Sequence, residues 1–148
     1  MSIILAFVAL GSAVPAATKQ DERAVTATVQ SFFDALAARD QKKILDLVVA
    51  KGSISGHGER AGKAQSFTDS WPAWVTDLGQ GKERLDERMQ NPEVRIRGNM
   101  ASVWSAYTFH IDGKFSHCGY DHFDLARLAG KWRIVNLSFT VEKTGCPK

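Results

Sequence analysis

Cysteine is scarce in this chain. Cys118 and Cys146 are the only two, and they do not form a Cys-x-x-Cys pair, which argues against a thioredoxin-like redox centre. A serine nucleophile elbow, a glycine-rich phosphate loop and a dinucleotide fingerprint are also missing, which removes the common signatures of acyl transfer, nucleotide hydrolysis and nicotinamide chemistry. His110, His117 and His122 with Cys118 are the metal-ligand types that fall closest together, but no histidine pair has helical i, i+4 spacing and no carboxylate-histidine signature appears. Neither a metal nor another cofactor is expected. Repeats, linkers and low-complexity tracts are absent, and 148 residues with 44% hydrophobic content supply one core but too little length for two ordinary domains. Charge of one sign is not in large excess either: 19 basic against 16 acidic residues give +3. The basic residues Arg84, Arg88, Arg95 and Arg97 are interleaved with Glu83, Asp86, Glu87 and Glu93, the pattern of an ion-paired strand surface rather than of a phosphate-binding stripe. Nucleic acid is not an expected partner.

What is present begins with an apolar run, Ile3 to Leu10, followed by Gly-Ser-Ala-Val-Pro-Ala-Ala. The run is too short to span a hydrocarbon core of ~30 Å. It reads as the apolar region of a secretory signal, with Val14 and Ala16 suited to cleavage before Ala17, although Met1-Ser2 lacks the usual basic residue. The expectation is a leader over 1 to 16, a single domain over 17 to 148, no membrane segment in the mature chain, and a periplasmic or secreted location. Export makes a disulfide plausible chemistry. If Ala129-Gly130 is a two-residue turn, Cys118 falls opposite Val141 and a short return through Gly145 brings Cys146 to it. Closing that loop should stabilise by about 3 to 4 kcal/mol.

The first half reads as helical. Val25, Val29, Phe32, Phe33 and Leu36 recur at three and four residues from Asp21 to Ala38, and Asp40 can cap a second helix over Gln41 to Ala50. Ser53 to His57 resembles a short strand entering a glycine-rich loop, and Ala64 to Leu78 a third helix interrupted by Pro72. The period then changes to two. Strands are expected over Arg84 to Arg97 with a break at Asn91-Pro92, Met100 to Ile111, Phe115 to Leu128 and Lys131 to Glu142, with Asp112-Gly113 as a hairpin turn. Helices first and a meander last predict an α+β fold, a cone-shaped, strongly curved antiparallel sheet with about three helices on its concave side.

The motifs His117-Cys118-Gly119-x-Asp121-x-Phe123, Trp132-Arg133-Ile134-Val135 and Thr144-Gly145-Cys146, with this element order over residues 22 to 142, resemble the nuclear-transport-factor-2-like superfamily, SnoaL-like and lumazine-binding-like exported bacterial proteins included. The resemblance implies a cone pocket, and hosts that range from isomerases, dehydratases and cyclases to binders without activity. Ketosteroid isomerases of the superfamily place a general base just after the first short strand, where this chain has Ser55-Gly56-His57-Gly58. Their second acid falls near Asp121 or His122, and their helix-one tyrosine is replaced by Phe32 or Phe33. The weak catalytic candidates are thus His57, His122, Asp121 and Asp124.

Two-residue turns in both hairpins would put Val103, Ser105, Tyr107 and Phe109 on one face with Tyr120, His122 and Asp124, and with Val135, Leu137 and Phe139. The expected ligand-binding set is Tyr107, Phe109, Tyr120, His122, Asp124 and Leu137, suited to a small apolar molecule with one polar group. The other face would carry Trp104, Asp121, Phe123, Trp132, Ile134 and Asn136 and serve a homodimer. The functional expectation is an exported small-molecule binder; the alternatives are a cofactor-free acid-base enzyme and a dimeric interaction module without ligand.

Overall fold

A computed structural model describes residues 16 to 146; the apolar leader expected before them lies outside the described residues. Helix α1 (Lys19–Ala37) starts at a capping box, in which the Thr18 hydroxyl accepts from the Asp21 N–H at 3.1 Å and the Thr18 N–H donates to the Asp21 carboxylate at 3.1 Å. Its apolar stripe is buried throughout. The chain leaves the helix at Arg39, whose φ is +52°, and Asp40 caps α2 (Gln41–Leu47) by accepting from the Lys43 N–H at 2.9 Å. Then come β1 (Val48–Arg60), β2 (Lys63–Ser70), α3 (Trp71–Leu78), β3 (Leu85–Arg97), β4 (Met100–Ile111), β5 (Lys114–Leu128) and β6 (Lys131–Val141).

The six strands form one curved, unclosed sheet in the order β2-β1-β6-β5-β4-β3. It is mostly antiparallel, as expected for this class, except that β1 joins β6 in parallel. The first half departs from expectation in several places, beginning with α2, which ends at Leu47 so that residues 48 to 50, expected in the helix, already belong to β1. Residues 63 to 70 extend as a strand, because Ala61-Gly62 turns the chain back on β1 with both residues at positive φ. Pro72 lies in the first turn of α3, where its missing N–H costs nothing, so it begins that helix instead of interrupting a longer one. His57, expected in a loop, lies within β1 between Ser66 and Thr140.

Bulges set the register and the curvature. On β3, Asn91-Pro92 oppose the single residue Ser105, whose hydroxyl fills the gap by donating to the Gln90 carbonyl at 2.9 Å and accepting from the Gln90 N–H at 3.1 Å. On β5, Ser116 is the extra residue between Phe115, opposite His110, and His117, opposite Phe109. On β6, Val135 is extra between Ile134 and Asn136. Its carbonyl accepts from the Trp71 indole N–H at 2.8 Å, and Gly52 lets β1 approach that same carbonyl, where any Cβ would collide with it.

The core lies between the concave face and the helices. Phe123 meets Phe32 and Phe33 edge-on with ring centroids 5.9 and 5.7 Å apart, and Phe32 meets Trp71 at 5.8 Å. Arg127 closes one end, pairing with Asp21 and lying 4.5 Å over the Trp132 ring. Asp21 is held below the usual carboxylate range by its hydrogen bonds to Thr18 and then by Arg127. At the other end Cys118 and Cys146 are disulfide-bonded, with Cα atoms 5.7 Å apart. The Val135 bulge shifts the hairpin by one, so Cys118 faces Glu142 and not Val141, exchanging backbone hydrogen bonds of 2.9 and 2.8 Å with it.

Candidate functional site

The Ser116 bulge decides which side chains of β5 enter the core. A one-residue insertion reverses the alternation of everything beyond it. Tyr107 therefore stands opposite Gly119, Ser105 opposite Asp121 and Val103 opposite Phe123. Through β6 this face continues to Phe139, Leu137 and Ile134. The expected partition of β5 is thus inverted. Asp121, Phe123, Trp132 and Ile134, assigned to the outer face, are buried on the concave side. Tyr120, His122 and Asp124, assigned to the pocket, lie on the convex side beside Trp104 and Asn136. There Trp104 stacks on Tyr120 at 5.8 Å, His122 stands 3.9 Å from Asp124, and the Asn136 amide donates to Asp124 at 3.5 Å. His57 also lies on that side, bridging Ser66 and Ser138 at 3.0 and 3.1 Å.

On the concave side, α1 and α3 stop short of the strand ends and leave a cavity of about 300 Å³. Phe32 and Leu36 from α1, Trp74 and Leu78 from α3, and Leu137, Phe139 and Val141 from β6 supply most of its apolar wall. Of the expected ligand-binding residues, Tyr107, Phe109 and Leu137 line it. Its polar groups are Glu87 on β3, Tyr107 on β4 and His117 on β5.

The Tyr107 hydroxyl donates to the Thr140 carbonyl at 2.6 Å. Burial, then the negative charges of Asp121 and Glu87, push its ionisation far up, so it remains a neutral phenol. His117 stacks on Phe109 with centroids 4.8 Å apart, and its Nδ1 lies 3.1 Å from the Ser116 hydroxyl. Burial, and then the charge of Lys143, lower its pKa, which favours the neutral ring.

Asp121 is fully buried, and neither of its oxygens receives a hydrogen bond from an N–H or hydroxyl of the described residues. Ser105, its cross-strand neighbour, has turned its hydroxyl to the β3 bulge. The carboxyl whose titration Asp121 perturbs is that of Glu87. Neighbouring like charges at a poorly solvated site disfavour double ionisation. Burial raises Asp121, and burial followed by the Asp121 charge raises Glu87 well above the carboxylate range. Glu87 thus brings to the cavity wall a carboxyl that favours the protonated form, with Asp121 buried outside the lining.

Glu87 escaped the sequence reading because the charges around it suggested a solvated strand. Its parity with Leu85 and Met89 was the usable signal. Asp121 was a candidate, but on the wrong face.

The family model described as "Putative lumazine-binding" matches residues 20–140; the chain belongs to this family. No curated protein matches it. Among solved structures, it resembles a protein of unknown function with a cystatin-like fold from Nostoc punctiforme, at 12% identity and a TM-score of 0.69, over 88% of this chain and 96% of the other. It likewise resembles a nuclear transport factor 2-like superfamily protein from Salmonella enterica serovar Typhimurium, at 15% identity and a TM-score of 0.67, over 87% and 96% of the two chains. A third, an NTF2-like protein from Cytophaga hutchinsonii, gives 12% identity and a TM-score of 0.68 over 84% and 99%. At these identities the likeness establishes the fold, that of the nuclear-transport-factor-2-like superfamily.

Proposed function

We propose that this is an exported protein that holds a small, largely apolar molecule in the cavity between α1, α3 and the concave face, with the molecule's one polar group against Glu87. The observation that carries this is the cavity's composition: aromatic and aliphatic walls with polarity gathered on Glu87, Tyr107 and His117. The family description points to small-molecule binding as well. Export is supported by the disulfide and by the Thr18 cap, which cleavage before Ala17 would leave intact. No helix among the described residues is long and apolar enough to cross a membrane. Trp74 lines the cavity, so titrating the purified chain with small aromatic compounds, a lumazine among them, should change its fluorescence. A Trp74→Phe variant assigns the signal. No change in fluorescence or melting temperature with any member of the panel would reject the reading.

An acid-base enzyme is the second reading, favoured by the Glu87 and Asp121 pair. A protonated carboxyl with raised pKa at an apolar cavity can donate to a carbonyl and recover the proton from the α-carbon. In that case Asp121→Asn would slow deuterium exchange of a bound ketone by about 10² to 10⁴. As a third element, the convex face around Trp104 and Tyr120, which are 49% and 37% exposed, would join two copies of the chain. Phe123 and Trp132 cannot serve as its anchors, since both are buried within the chain. Light scattering of wild type and Trp104→Ala tests this: a wild-type monomer would remove the dimer.

A further inference from the structure

The cavity wall carries one acid, Glu87, while Asp121 is buried outside that wall. Neither Lys nor Arg is among the side chains that line it. Arg88, beside Glu87 on β3, pairs with Asp86, and Arg39 pairs with Glu83 and donates to the Leu78 carbonyl. Asp121 is fully buried without a donor to either oxygen, and its Glu87 neighbour opens onto the cavity. A buried carboxyl is normally matched by a cation or by several donors, and within the described residues Asp121 has neither. Five aromatic side chains, Phe32, Trp74, Tyr107, Phe109 and Phe139, form much of the surrounding wall. Ring faces attract cations, the more so when water is excluded.

We infer that the molecule held here is an organic cation, an apolar body of about one or two rings bearing a quaternary or protonated amine whose charge sits against the Glu87 carboxyl on the cavity wall. This rests on the reading of the cavity as a ligand site and names the ligand's polar group. An anion would find no Lys or Arg in the wall to pair with it. A neutral molecule would leave both acids to keep their protons. A cation supplies the missing partner, and on entering it displaces a proton from the pair, so binding and proton release are linked.

Other titratable groups near the pair do not supply that charge. Tyr107 on β4 stays a neutral phenol, and the pKa of His117 on β5 is lowered. Asp34 of α1, with Asp86 and Arg88 of β3, borders Glu87 from a separate groove, while Glu142 beyond β6 acts on Tyr107 and Lys143 on His117. From α3 and β1 come only Trp74, Leu78 and Ile54.

The test uses benzyltrimethylammonium, whose charge does not titrate, and its uncharged carbon isostere neopentylbenzene, each followed by Trp74 fluorescence on the full chain. The cation should bind more tightly as pH rises from about 6 to about 8, by up to about tenfold per pH unit for one proton released. The isostere should not gain. Glu87→Gln and Asp121→Asn should each weaken the cation by about tenfold at the upper pH, the loss of one charge contact, and leave the isostere unchanged. Should Asp121→Asn fail to fold, Glu87→Gln and the wild-type pH profile decide alone. Equal binding of cation and isostere at the upper pH, or cation binding indifferent to Glu87→Gln, overturns the cation and leaves the apolar cavity standing. Binding of neither probe overturns both.

Discussion

Asp121 and Asp124 stand three residues apart on one strand and occupy opposite chemical environments. Asp124 lies on the convex face, half-exposed, with the Asn136 amide and His122 beside it. Asp121 lies on the concave face without a donor, its partner another acid. Water and neighbouring dipoles satisfy the first at little cost. The second persists only because it can hold a proton, which makes it chemically informative. Residue type alone does not separate the two; strand parity does, and parity here depends on one inserted serine.

The largest effects should come from the buried side of this comparison. Phe123→Ala removes a ring held between Phe32 and Phe33 and should cost about 3 to 5 kcal/mol in denaturant unfolding. Trp104→Ala on the convex face should cost about 1 kcal/mol. Equal losses would mean that the two faces have been exchanged. Removing the disulfide, which closes a separation of 28 residues, as Cys118→Ser with Cys146→Ser should cost about 3 kcal/mol, measured by the same unfolding curves. A loss well below 1 kcal/mol would show that Glu142 and Cys118 hold the tail without it.

A third effect has a pH signature. Burial raises the folded-state pKa of Asp121 from 3.8 to about 8. The stability tied to its proton is therefore fully present below the unfolded pKa and lost as pH rises through the folded one. Wild-type unfolding free energy should decline over that window by up to about 1.4 kcal/mol per pH unit for each proton retained. Asp121→Asn, whose amide needs no proton, should flatten the decline, while Asp124→Asn should leave it unchanged. An unaltered slope in Asp121→Asn would show that the pair does not carry it. The smallest effect belongs to His122→Ala, which should change stability by about 0.5 kcal/mol or less and leave probe binding in the cavity unchanged. A large loss of binding would bring His122 back to the site.

Much of the architecture was legible in the chain. The α1 stripe, the period-two strands and the Asp112-Gly113 and Ala129-Gly130 turns lead to the α+β meander that β3 to β6 form. The Asn91-Pro92 break is a bulge in β3. Residues 63 to 70 were misread because Phe67 and Trp71 mimic a helical repeat, whereas Phe67 lies over Gly56 on the neighbouring strand. The site itself was half legible. Tyr107, Phe109 and Leu137 follow from β4 and β6, but Ser116 and Val135 give no sign in the sequence that they are bulged. Nothing local distinguishes a bulge residue from its neighbours, since the cause is the fit of three strands and the helices against them. That single-residue shift carried Tyr120, His122 and Asp124 out of the cavity and Asp121 onto the concave face.

The central claim is that Asp121 is the inward carboxyl and shares protons with Glu87. Carbon-13 NMR of the side-chain carboxyls, titrated with pH and assigned through Asp121→Asn and Glu87→Gln, tests it directly. The account predicts that Asp121 and Glu87 still carry proton at neutral pH, titrate far above the ordinary carboxylate range, and perturb each other's curves. An Asp121 resonance fully ionised by about pH 6 and indifferent to Glu87→Gln would contradict it.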